Sequence, residues 1–136
     1  MVTNVLSTGL LADARPDVIV KLNNGQGTFL FNCNMNQVEV EQDEMTTGKA
    51  GTKKMWQYDS LRVEWPMTAD NIFSTMLTAK YPANKENKLV NEYQSAVLGL
   101  LPESSKQPYE DFLRDRLAIR EMVDTECARL NIPNDL

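Results

Sequence analysis

The chain reads as an α+β domain, with a small antiparallel sheet of about three to four strands from the N-terminal half packed against a layer of three helices from the C-terminal half. Three observations predict it. From Asp17 to about Trp65 apolar residues alternate with a strand period, and from Thr68 onward they recur at helical spacing. The segments between are short and carry the Gly, Asn and Pro of turns. At 136 residues the chain is long enough to close one core without disulfides or metals. A single domain over 1–136 is therefore expected, with an N-terminal arm (1–16), a β half (17–65) containing a mobile loop (45–54), and a helical half (68–131).

Val18-Ile-Val-Lys-Leu22 is β-branched and alternating, Asn23-Asn-Gly-Gln-Gly27 tolerates positive φ, and Thr28-Phe-Leu-Phe-Asn-Cys33 resumes the strand pattern. This predicts a β-hairpin with a five-residue loop. Phe29, Phe31, Cys33 and Met35 share one face and are expected in the core. Val38 and Val40 are apolar at even positions where the earlier apolar positions are odd, so a bulge or tight turn belongs within Asn34–Gln37. Met45–Lys54 is rich in Gly, Thr and Lys and reads as the mobile loop. Met55–Trp65 reads as a strand with Leu61, Val63 and Trp65 on one face, ended by Pro66.

Thr68 suits the N-cap of a first helix carrying Ile72, Phe73, Met76 and Leu77, with Tyr81-Pro82 closing it. Asn84 is the expected cap of a second helix, with Leu89, Val90, Tyr93, Ala96 and Val97 in one stripe and a Schellman stop at Gly99-Leu100. Pro108, with Glu110 and Asp111 in the first turn, opens a third helix running to about Leu130. Its apolar arc holds Tyr109, Phe112, Leu113, Ile119, Val123, Cys127 and Leu130.

Composition narrows the function classes. A net charge of −5 repels phosphate backbones and anionic lipid headgroups, so nucleic acid is not an expected partner. No apolar stretch approaches the roughly 20 residues of a membrane helix. The N-terminus lacks Lys or Arg before Arg15, and polar residues interrupt its apolar run, so no signal peptide is expected. Cys33 and Cys127 lie in no metal-ligand or redox spacing and read as buried reduced thiols of a cytoplasmic protein.

The chain has no histidine, which removes the commonest general base and metal ligand. Gly48-Lys-Ala-Gly-Thr52 only superficially resembles a phosphate loop, lacking the first glycine and the Lys-Ser/Thr order. No catalytic residue, metal site or cofactor is assigned. Two constellations remain as candidates. Glu39, Glu41 and Asp43 project from one strand face as an acidic surface, suited to a basic partner or, with further oxygen ligands, to Ca²⁺ or Mg²⁺. On the third helix Arg116, Arg120 and Asp124 fall inside the apolar arc. Either the arginine stems cover core edge while the heads pair locally, or the planar forks grip carboxylates across an interface.

At Tyr58-Asp-Ser-Leu-Arg-Val-Glu-Trp65, Lys80-Tyr81, Asn91-Glu-Tyr93, Val97-Leu-Gly99 and Tyr109-Glu-Asp-Phe-Leu113, the chain resembles small uncharacterised proteins encoded in prophages of the Bacteroides group. The resemblance spans the sheet half from Asn23-Asn-Gly-Gln-Gly-Thr28 and the helices, and leaves out the N-terminal arm. It implies an accessory or structural component of phage particles or their assembly, and it transfers no active site. The expected function is a non-catalytic one, binding copies of itself or other phage proteins, in the cytoplasm or assembled into a particle. Two alternatives stand beside it. One is a regulatory or inhibitory module whose acidic surface binds a basic protein; the other is an enzyme working through carboxylates alone, drawn from Glu39, Glu41, Asp43 and Asp59.

Overall fold

The structure, a computed structural model, describes residues 5–42 and 51–136. The fold is α+β, a four-stranded antiparallel sheet in the N-terminal half and three helices in the C-terminal half. The chain divides into two compact units, Met1–Trp65 and Pro66–Leu136.

In the first unit β1 (Leu6–Ala12), β2 (Ile19–Lys21), β3 (Phe29–Gln42) and β4 (Gly51–Val63) lie in the order β1-β4-β3-β2. Phe29 sits opposite Val63 and Phe31 opposite Leu61, and all four are buried, as is Cys33. Met35 is only half-buried, because it falls in the bulge where the inward parity changes. Asn32 and Ser60 pair on the opposite face and are buried as well. The segment leading from β1 to β2 crosses there: the Asn32 side-chain amide donates to the Asp17 carbonyl at 2.8 Å, and the Arg15 guanidinium stands 5.7 Å from the Trp56 ring centroid.

Three strand expectations change. Leu6–Ala12 of the N-terminal arm is strand and pairs with β4. β4 begins at Gly51, so Gly51–Lys54, read as loop from composition, is strand because each residue has a ladder partner on β3. The remainder of that loop, 45–50, lies outside the described residues. Trp65 lies beyond β4 and is exposed; its side chain leans on Gly27, where an added Cβ would come within 2.9 Å of it.

The bulge expected within Asn34–Gln37 is present. Cys33 pairs with Asp59 but Asn36 with Gln57, and Asn34 takes φ 54°. A second bulge lies on the other flank of β4, between Ser7 and Leu10, with Gly9 at φ 68°. Both meet Asp59. Its Oδ1 accepts the Gly9 N–H at 3.1 Å, and its Oδ2 accepts the Asn34 side-chain amide at 2.8 Å.

In the second unit α1 spans Ala69–Lys80, α2 Ala83–Val97 and α3 Gln107–Arg129, with a 3₁₀ turn at Glu103–Lys106. Thr68 caps α1 as expected, its hydroxyl accepting the Asn71 N–H at 3.2 Å. The remaining free N–H groups of that first turn are taken by the C-terminal segment, with Ala69 donating to the Pro133 carbonyl at 2.9 Å and Asp70 to the Asn134 carbonyl at 3.0 Å. Asn84 does not cap α2; Pro82 occupies the N-cap, pre-set in φ, and the Asn84 side chain instead accepts the Lys85 N–H. The Schellman stop is formed, with Leu100 N–H donating to Ser95 O, Gly99 N–H to Ala96 O, and Gly99 at φ 77°. Phe112, Ile119, Val123 and Cys127 of the third helix are buried, whereas Leu113 and Leu130 are exposed.

Candidate functional site

The acidic candidate lies on the outer half of β3. Past the Asn34 bulge the ladder continues as Gln37↔Trp56, Val38↔Met55, Glu39↔Lys54, Val40↔Lys53 and Glu41↔Thr52. Alternation then separates two faces. Val38, Val40 and Met55 share one and are half-buried; Glu39, Glu41, Thr52 and Lys54 share the other and are exposed. Lys54 stands directly opposite Glu39, so the acidic row carries a cation at its centre. Asp43 lies outside the described residues. Among those described, no three Cys, Asp or Glu residues converge to hold a metal ion.

Asp59 shares its face with Leu61, Val63 and Met55, opposite to that of Glu39 and Glu41. Asp59 therefore does not meet Glu39 or Glu41 across the sheet. Both oxygens of Asp59 are engaged by the bulges. Glu64, just beyond β4, accepts from the Thr28 hydroxyl at 2.6 Å and from Arg62 Nε at 3.2 Å, bonds that lower its pKa.

The second candidate gathers on α3 and α1. Arg116 and Arg120, one turn apart, place their guanidinium carbons 5.1 and 5.0 Å from the centroid of the Phe73 ring. Arg120 also donates to Asp70 at 2.8 Å and to Asp124 at 3.1 Å. Those bonds, that to Asp70 first, hold the guanidinium pKa above its ordinary value. The other Asp124 oxygen, Oδ1, is buried without a hydrogen-bond partner among the described residues. Arg116 is exposed and makes no ion pair among them. Two charges on an apolar arc are thus accommodated locally, through a shared aromatic face and two carboxylates. Burial, followed by the charge of Asp124, raises the Cys127 thiol pKa.

An aromatic run joins α2 to α3. The Tyr81 and Phe112 rings meet edge-on at 4.7 Å, and the Tyr93 and Tyr109 rings lie tilted to each other at 5.1 Å. The Tyr81 hydroxyl donates to Asp115 at 2.7 Å, and burial together with that bond pushes its pKa up to about 12.

Sequence reasoning missed one apolar surface. Val97, Leu98, Leu100 and Leu101 flank the Gly99 stop of α2, with Leu98 74% and Leu100 75% exposed. The helical period places Val97 at the end of an apolar stripe, yet the tertiary structure leaves it exposed. Among the described residues no helix is long and apolar enough to cross a membrane. The chain matches no protein-family model, no curated protein and no solved structure.

Proposed function

We propose that this is a non-catalytic, phage-type accessory or structural protein that works by binding protein, its partner being further copies of itself. The observation that carries the reading is the outer half of the β3–β4 hairpin. From Val38↔Met55 to Gln42↔Gly51 the sheet is, among the described residues, two strands wide. A two-stranded ribbon is marginal in water and is stabilised by further strands or by cover for its apolar face. Val38, Val40 and Met55 supply such a face, and the uncovered Leu98 and Leu100 supply a second apolar surface.

Light scattering across a concentration series tests the reading. Solution mass is expected to climb above that of one chain as concentration rises. A mass fixed at one chain throughout, up to the solubility limit, rules self-binding out.

The regulatory alternative draws on the exposed Glu39 and Glu41, which suit a basic protein partner. It predicts a monomer that captures polylysine at low salt and releases it at high salt.

A further inference from the structure

The two long strands of the sheet outrun their neighbours. β2 meets β3 only over Phe29–Phe31, with one further bond between Asn32 and Val18, and β1 leaves β4 at the Ala12↔Trp56 pair. Beyond those points, and among the described residues, neither outer edge of the ribbon makes a backbone hydrogen bond. Open edges recognise extended strands through main-chain bonds.

Antiparallel alternation determines what each edge presents. Asn32 N–H donates to Val18 O and Leu22 N–H to Thr28 O, so even residues of inner β3 face β2. The extra residue of the Asn34 bulge reverses that parity, and the backbone groups of Glu39 and Glu41 point outward. On β4 the Arg62 N–H donates to Val5 O, so even residues face the β1 side. Where β1 has ended, the backbone groups of Thr52 and Lys54 point outward in the same way.

These two edges complement each other. The Glu39↔Lys54 pair places the glutamates and the lysine on one face of the ribbon. A second copy laid beside the first in the same orientation brings its β4 edge antiparallel to the first copy's β3. Its Lys54 then meets Glu39 and Glu41 on that face, repeating between chains the pairing made within each. The symmetric choices are worse, since β3 against β3 sets glutamates against glutamates and β4 against β4 sets lysine against lysine.

We infer that the open β3 edge of one copy receives the open β4 edge of the next, head to tail. Because the edges differ, the interface is heterologous and propagates, closing as a ring or running on as a filament. The inference rests on the self-binding reading above and adds which surfaces meet.

Two blocked variants test it. Glu41→Pro removes an outward N–H from the β3 edge and Thr52→Pro removes one from the β4 edge, at positions where an edge strand tolerates proline. Each variant alone should stay at the mass of one chain at concentrations where the unaltered protein assembles. Mixed in equal amounts, they should stop at two chains, because each retains one usable edge. Assembly of either variant alone to the normal extent overturns the inference, as does a mixture that never pairs; in both cases the self-binding reading survives. A single-chain mass for the unaltered protein at every concentration removes both. Should circular dichroism show a proline variant unfolded, Glu39→Gln/Glu41→Gln leaves the backbone intact and should shift assembly to higher concentration. An unchanged mass curve for that variant likewise overturns the inference.

Discussion

Asn34, held at φ 54° in the β3 bulge, donates its side-chain amide to Asp59 on the neighbouring strand at 2.8 Å. The other oxygen of the same carboxylate takes the Gly9 N–H from the bulge on the opposite flank. One side chain of the central strand thus pins two irregularities that set the register of both neighbours.

Asp59→Ala is therefore expected to lower stability by roughly 1–3 kcal/mol, the usual cost of stripping acceptors from ordered donors. Asp59→Asn keeps an acceptor oxygen for one of the two donors and should cost less than the Ala change. Urea unfolding measures both; equal stability of Asp59→Ala and the unaltered protein rejects the pinning role.

Gly27 and Gly25 offer a matched pair. Both have φ 76°, but a Cβ at Gly27 meets Trp65 at 2.9 Å, whereas nothing lies within 4 Å at Gly25. Gly25→Ala should cost about 1–2 kcal/mol for the left-handed backbone alone. Gly27→Ala should cost clearly more, and Trp65→Ala should recover part of that excess. Thermal melts of the three variants and the Gly27→Ala/Trp65→Ala double form decide it.

Arg120 and Arg116 share Phe73 but differ in their partners. Arg120→Ala should cost about 1 kcal/mol, since its ion pairs are partly exposed and screened by water and salt. Arg116→Ala should cost only a few tenths of a kcal/mol in stability, the scale of an exposed surface change. Comparable losses at the two positions would show that the ring contact, and not Asp70 and Asp124, dominates.

Tyr81 links stability to alkaline pH. Its pKa is raised from 10.0 to about 12 in the folded chain, so between those values the folded state holds a proton that the unfolded state has released. Its contribution is complete below pH 10 and is lost as pH rises toward 12. Absorbance titration should show a late tyrosine ionisation, and Tyr81→Phe should remove both that late step and its share of the alkaline loss of stability.

Most of the architecture is legible in the residues themselves, and the exceptions have physical causes. The Asn34 bulge follows from Val38 and Val40 being out of phase with Phe29, Phe31 and Cys33, because a buried face enforces strand parity. β1 escapes the same test: Gly9 sits in a bulge, so Leu6 and Leu10 fall on opposite faces and no alternation survives to be read. Gly51–Lys54 looks like loop because its composition is weak for strand, yet ladder pairing with β3 overrides propensity. Asn84 is a good cap in isolation but lies two residues after Pro82, which starts the helix first. Periodicity alone puts Arg116 and Arg120 on the side of the third helix that carries its apolar arc. That both rest on Phe73, 43 and 47 positions earlier, is a tertiary fact no local pattern encodes.

The bonds from Ala69 and Asp70 to the carbonyls of Pro133 and Asn134 also order events in time. Emerging from a ribosome, α1 is made before the segment that completes its first turn, and two of its N–H groups must wait on water while α2 and α3 are synthesised. The opening turn of α1 is thus finished by residues made more than sixty positions later.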